Sequence, residues 1–229
     1  MRALLATVVA GLAVAAAFPA LGGATNECLG IQACISVPGP WVLLTRARPA
    51  EYLLACPQGR GVVAGLDAQA TSRVVRVSFD GRIGAPVAPG VTTTRSALFR
   101  AISLGKGRQA FQPLLGCVRG GRTGRSTVSA RTKPVPEGPA LERFAQTVVI
   151  RPGFTRAASV ACTPGEKLVG TWSALAFRTK GPPDLSQVDS ISVGRVAIVR
   201  GKAVVFASAT DALSPDAHAV VQVGVECAP

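Results

Sequence analysis

The chain has 229 residues, and 48% of them are apolar, enough to fill one large core or two small ones, so a disordered polar tail is excluded. A formal charge of +13 turns attention to anionic partners. Arg far outnumbers Lys, and with Ala, Gly, Val and Pro abundant this resembles the codon bias of a GC-rich bacterial genome, which speaks to origin and not to function.

Residues 1–24 open with Met1-Arg2, run uncharged from Ala3 to Ala17 and end in the small residues Gly22-Gly23-Ala24, the layout of a secretory signal peptide. Pro19 and the glycine pair favour cleavage over a continuous membrane anchor. A lipoprotein anchor is excluded, because Thr25-Asn26-Glu27 and not small residues precede Cys28. The expected destination is secreted or extracellular, with cell-envelope association compatible.

All six cysteines follow the signal, and an even number in an exported chain predicts three disulfides. Cys28 and Cys34 lie close together in an N-terminal segment, 25–47, and predict a small local loop. Two longer units then share a pattern. Ala55-Cys56-Pro57-Gln58-Gly59, followed by Val62-Val63, matches Ala161-Cys162-Thr163-Pro164-Gly165, followed by Leu168-Val169. Cys117 closes the first unit 61 residues after Cys56, and Cys227 closes the second 65 residues after Cys162. An Arg-Pro pair stands before each opening cysteine, at Arg48-Pro49 and Arg151-Pro152. We read a tandem duplication, with units at 48–119 and 148–229.

Strand parity supports pairing within each unit, since every second side chain faces one way. Tyr52, Leu54 and Cys56 share a face, as do Phe111, Leu115 and Cys117, and Val221, Val223, Val225 and Cys227. The expected bridges are Cys28–Cys34, Cys56–Cys117 and Cys162–Cys227. Val75, Val77 and Phe79 alternate with Arg76 and Ser78 as a further strand, and Val196 and Ile198 stand beside Arg195 and Arg200 as another. Helical periodicity is hard to find after the signal. The fold expected is all-β, as two tandem small antiparallel sandwiches, each closed by its own disulfide. Between them, 120–147 is rich in Arg, Gly and Pro and poor in apolar residues, and reads as a solvated connector. Its Arg-Gly run is more simply a hydrophilic connector than a nucleic-acid site, so a nucleic-acid partner is not expected.

The sequence lacks the spacings of several chemistries. It has no Cys-x-x-Cys, no histidine pair and no alternating Asp/Asn calcium loop, so no metal or other cofactor is expected. His218 is the sole histidine and sits with Asp216 beside Pro215 in a predicted turn, and no serine stands in a Gly-x-Ser-x-Gly elbow. A paired-carboxylate hydrolase is not decided by spacing and stays as an alternative to a non-catalytic module. Trp41 and Trp172 read as core anchors.

Eleven Lys or Arg stand between Trp41 and Arg119 against Glu51, Asp67 and Asp80, whereas Val148 to Pro229 carries eight against six acids. Arg73, Arg76, Arg82, Arg95 and Arg100 are the candidate anion-binding residues. The expectation is an exported, non-catalytic binding or structural module whose basic first unit contacts an anionic envelope or extracellular polymer. A protein-interaction module with incidental charge is the second reading.

Overall fold

The computed structural model describes residues 26–29, 34–45, 48–57, 61–80, 95–118 and 141–229. The expected signal peptide, Arg82 and most of the 120–147 connector lie outside these residues. Nearly everything described is extended, as the β-branched and aromatic alternation requires. The first half contributes β1 (Ile35–Pro38), β2 (Trp41–Leu44), β3 (Ala50–Ala55), β4 (Val62–Ala70), β5 (Val75–Asp80), β6 (Ser96–Ser103) and β7 (Gln109–Val118). The second contributes β8 (Glu142–Val149), β9 (Thr155–Ala161), β10 (Lys167–Phe177), a single helical turn and a half α1 (Leu185–Asp189), β11 (Ile191–Val193), β12 (Ala197–Val199), β13 (Lys202–Ala209) and β14 (Ala219–Ala228). β8 therefore begins within the stretch that composition reads as connector.

The two halves repeat one another strand for strand. β7 pairs antiparallel with β4 on one side and with β1 and β2 on the other, while β14 pairs antiparallel with β10 and β8. A small sheet of order β3-β6-β5 accompanies the first set, and in the second β13 runs between β9 and the interrupted strand formed by β11 and β12. Each β4/β7-type pair also slips register at an equivalent point. One slip falls between Val63 and Gly65, opposite Cys117 and Gly116; the other falls between Leu168 and Gly170, opposite Cys227 and Glu226. A bulge bends its strand and increases local twist. Its recurrence beside each closing cysteine is a mark of duplication independent of cysteine spacing.

The halves are nevertheless not two separate sandwiches. β2 pairs with β10 as well as with β7, through Val42 with Ala176 and Trp41 with Phe177, which fuses the two sets into one seven-stranded sheet. β1 and β2 together fill one strand position in that sheet, broken at Gly39-Pro40, so each half supplies three positions. With every neighbour antiparallel, an odd number of positions makes the second set enter upside down, which places its small sheet on the opposite face. Alternate side chains along the central strands show this division. Val42 and Leu44 belong to the first core and Leu43 packs on the second; Ala174, Ala176 and Val220 face the first, and Phe177, Val221, Val223 and Val225 face the second. Both faces of β14 are consequently buried, which accounts for its almost continuous apolar run.

Three disulfides are present and no cysteine is free. Cys56–Cys117 ties the end of β3 to β7, with Cα atoms 5.9 Å apart, and Cys162–Cys227 ties the end of β9 to β14 at 5.7 Å. Each long bridge thus joins a small sheet to the shared one. The Cys28–Cys34 bridge lies on the outer side of the first half, where the Glu27 carbonyl sits against Gly65 and Gly116 and Cys34 Sγ against Gly116. A Cβ at either glycine would come within 1.7 or 2.1 Å of that oxygen, so the two glycines form a notch for the Glu27 backbone. Three disulfides point to an oxidising, extracellular environment. Among the described residues no helix is long and apolar enough to cross a membrane.

One polar side chain ties the halves together from within. Gln222 on β14 is buried, and its amide accepts from Leu53 N at 2.7 Å and donates to Leu53 O at 3.0 Å, completing the outer edge of β3 as a neighbouring strand would. The same amide donates to Thr147 Oγ1, and Trp172 Nε1 donates to its oxygen. Trp172 lies flat over Gly224, where a Cβ would meet the ring at 2.0 Å. At the other half, Gln146 Oε1 accepts from Ser159 N on the edge of β9.

Replacing Gln222 with Leu keeps the volume and leaves both Leu53 groups unpaired, so it is expected to destabilise the protein by about 2 kcal/mol or more. Urea unfolding reads this, and a change within error of zero would mean the edge of β3 is satisfied by solvent. Chain entropy assigns the 61- and 65-residue bridges about 4 kcal/mol each and Cys28–Cys34 about 2 kcal/mol. The C162A/C227A pair is accordingly expected to lower stability about twice as much as C28A/C34A in the same measurement.

Candidate functional site

Two turns at one end of the first half bring basic side chains together. The β4–β5 turn, Thr71 to Val74, is held by Ser72, whose carbonyl accepts from Val75 N at 3.1 Å, and by Thr71, whose N–H donates to Ala110 O at 3.0 Å. The β6–β7 turn, Leu104 to Arg108, reverses at Gly107, which has φ +96°. Leu104 N donates to Val74 O at 3.0 Å, and Gly105 leaves room for the Val74 side chain, so the two turns abut. Arg73, Lys106 and Arg108 are exposed on them, and Arg76 points outward from the start of β5, across from Ile102 on β6.

Sequence reading places Arg73 and Arg76 here but not Lys106 or Arg108. The Gly105-Lys106-Gly107-Arg108 run carries the signal that would have found them, a glycine-flanked hairpin turn bearing two cations. Arg95 is exposed at the far end of β6, about 26 Å away for eight residues of strand. Its carbonyl accepts from Cys56 N. Arg100 sits between these ends with its Nε on Glu51 Oε1, so that charge is neutralised in place. Arg82 lies outside the described residues. The four described arginines are thus not gathered in one place: Arg73 and Arg76 lie with Lys106 and Arg108 at the two turns, while Arg95 and Arg100 stand apart from them.

Among the described residues no carboxylate pairs with Arg73, Arg76 or Lys106, whereas Arg108 holds Asp189 at the end of α1. The hydrogen bond from Arg108 holds the Asp189 carboxyl below the ordinary carboxylate range. Elsewhere the acids are engaged locally. Glu226 accepts from Arg143 at 3.0 Å, Asp67 accepts from Asn26 N and Ala68 N, and Asp184 caps α1 by accepting from Ser186 N.

A cleft of about 360 Å³ opens where the halves meet, walled by Pro38, Pro40, Tyr52, Leu54, Gln112 and Arg178. Its floor follows from the break between β1 and β2, where Gly39 N donates to Pro113 O and Gln112 Nε2 donates to Gly39 O. Burial pushes the Tyr52 phenol above its ordinary value, against the opposing effects of its hydrogen bond with Thr147 and the charge of Arg178.

Cys162, Glu166 and Cys227 bring donor atoms within 4.8 Å of one another. Both sulfurs belong to one disulfide and offer no thiolate, and Glu166 accepts from Thr163 N. Asp216 lies in an exposed 3-10 turn, Pro215–Ala217, and His218 follows at φ 44°, exposed, with its carbonyl accepting from Arg178 N. Trp41 and Trp172 are both buried. No family model matches the chain, and no curated protein or solved structure is significantly similar to it.

Tyr52 is the sole tyrosine, so absorbance at alkaline pH reports it alone. It is expected to titrate above the ordinary value of about 10. Below that value both folded and unfolded chains keep the proton; above it the unfolded chain ionises first. Stability is therefore expected to fall as pH rises from the ordinary value toward the folded one. A Y52F chain is expected to lose that part of the alkaline decline in urea midpoints. An ordinary or lower titration point would show the phenol to be open to water.

Proposed function

We propose that this is an exported, non-catalytic binding or structural module of bacterial origin, made with the cleavable signal peptide at 1–24, and that its basic first half holds an anionic surface of the cell envelope or extracellular matrix. The observation that carries this reading is the gathering of Arg73, Arg76 and Lys106 at one end, exposed and with no carboxylate partner among the described residues. Three cations that no described carboxylate pairs with present a local field to anions, and guanidinium groups bind phosphate and carboxylate in two-point fashion.

A second reading, an interaction module for another protein, draws on a different place. Phe206 is 60% exposed on the outer face of β13, with the small residues Ala157 and Ser159 on neighbouring β9. On this reading the outward Phe206 ring is the contact point for a partner.

Retention on isolated cell envelope separates the two. The basic-end reading expects retention that weakens steadily with added salt and drops in an R73Q/R76Q/K106Q chain that keeps its stability. Salt-independent retention together with elution as a stable oligomer would instead favour the contact through Phe206.

A further inference from the structure

The basic end carries more than charge. β5 and β6 pair antiparallel with Val75 opposite Ser103 and Arg76 opposite Ile102, and just beyond them Leu104 N donates to Val74 O, which brings Leu104 and the turn residue Val74 to the end of the same pair of strands. Leu104 is 61% exposed, Val74 39% and Ile102 37%. Three large apolar side chains are thus exposed at this end, close to Arg76 and with Arg73 and Lys106 on the turns beside them. Among the described residues, Glu51 stands one row farther in and is held by Arg100, and Asp189 meets the same turn only through Arg108.

A soluble polyanion would engage the cations but gain little from leucine, valine and isoleucine. A bilayer takes both: phosphates pair with the cations while the apolar side chains enter the boundary between headgroups and acyl chains. We infer that this end is a membrane-contact tip, in which Leu104, Val74 and Ile102 insert into an anionic lipid surface and Arg73, Arg76 and Lys106 hold its phosphates. The inference rests on the anionic-partner reading and narrows it to lipid. The rigidity of the tip favours it, because the turns are joined to each other by Leu104 N to Val74 O and to β7 through Thr71, so insertion orders nothing new.

The test uses protein recovered after export, in co-sedimentation with vesicles of phosphatidylcholine containing phosphatidylglycerol, and separately in salt elution from immobilised heparin as a soluble-type polyanion. Leu104→Ser is expected to weaken vesicle binding about tenfold, as removal of one inserted leucine side chain implies, while heparin elution stays where it was. R73Q/R76Q is expected to lower both. Equal vesicle binding by L104S and the parent chain would overturn the lipid inference. Retention on heparin with no vesicle binding would do the same while leaving the anionic-partner reading standing. Failure on both heparin and vesicles would remove the two together.

Discussion

The antiparallel join between β2 and β10 covers only two residue pairs, yet the rest of the architecture follows from it. Because each half offers three strand positions to the shared sheet, an antiparallel join inverts the second half, and the small sheets must lie on opposite faces. The middle of the shared sheet then becomes a layer buried on both sides. Adjacent residues such as Val220 and Val221 face different cores, so a single strand serves both halves. Had the sets contributed an even number of positions, both small sheets would have fallen on one face and left the other open to water.

Inversion also creates the polar lock at the seam. β3 is an outer strand of its small sheet and would present unpaired backbone groups to the second half. Gln222 meets this edge with the donor and acceptor of a primary amide, which is why a glutamine stands in a run of valines. The buried amide is fully used, by Leu53, Thr147 and Trp172, and a satisfied buried polar group specifies one register where an apolar one would tolerate sliding. The long disulfides act in the perpendicular direction, holding each small sheet to the shared one. Sheet stacking is thus fixed by covalent bonds, and the union of halves by hydrogen bonds and packing.

Much of this was legible in the chain, and the reason is locality. Period-two alternation placed Val75, Val77 and Phe79 on one side and Arg76 and Ser78 on the other, and the structure pairs β5 with β6 in that sense. Parity put each closing cysteine among its strand's apolar side chains, and the bridges run from those positions. The shared sheet was not legible, because Trp41 to Leu44 reads as a leader to the first unit while its second partner, Ala176-Phe177, lies far along the chain. Nothing local to either segment records that pairing. The burial of both faces of β14 hides in the same way, since a strand of valines is compatible with one core or with two. Lys106 and Arg108 were missed for a different reason: cations in a tight turn are ordinary in sequence, and only the abutting β4–β5 turn gives them company.

The matching strand order of the two halves allows their charge to be compared at equivalent positions, and it differs. The β6–β7 connection is Leu104-Gly105-Lys106-Gly107-Arg108, whereas the equivalent β13–β14 connection bears Asp211 and Asp216 and no Lys or Arg. The first is short and turns on a glycine; the second is longer, wound into a 3-10 turn capped by Ser214, and places Leu213 and Ala217 in the second core. One scaffold element has therefore been spent on packing in one half and left outward, cationic and apolar in the other. The divergence follows from length: a nine-residue connection can fold back and bury Leu213 and Ala217, whereas a five-residue hairpin turn reaches no core and leaves its Leu, Lys and Arg side chains facing out.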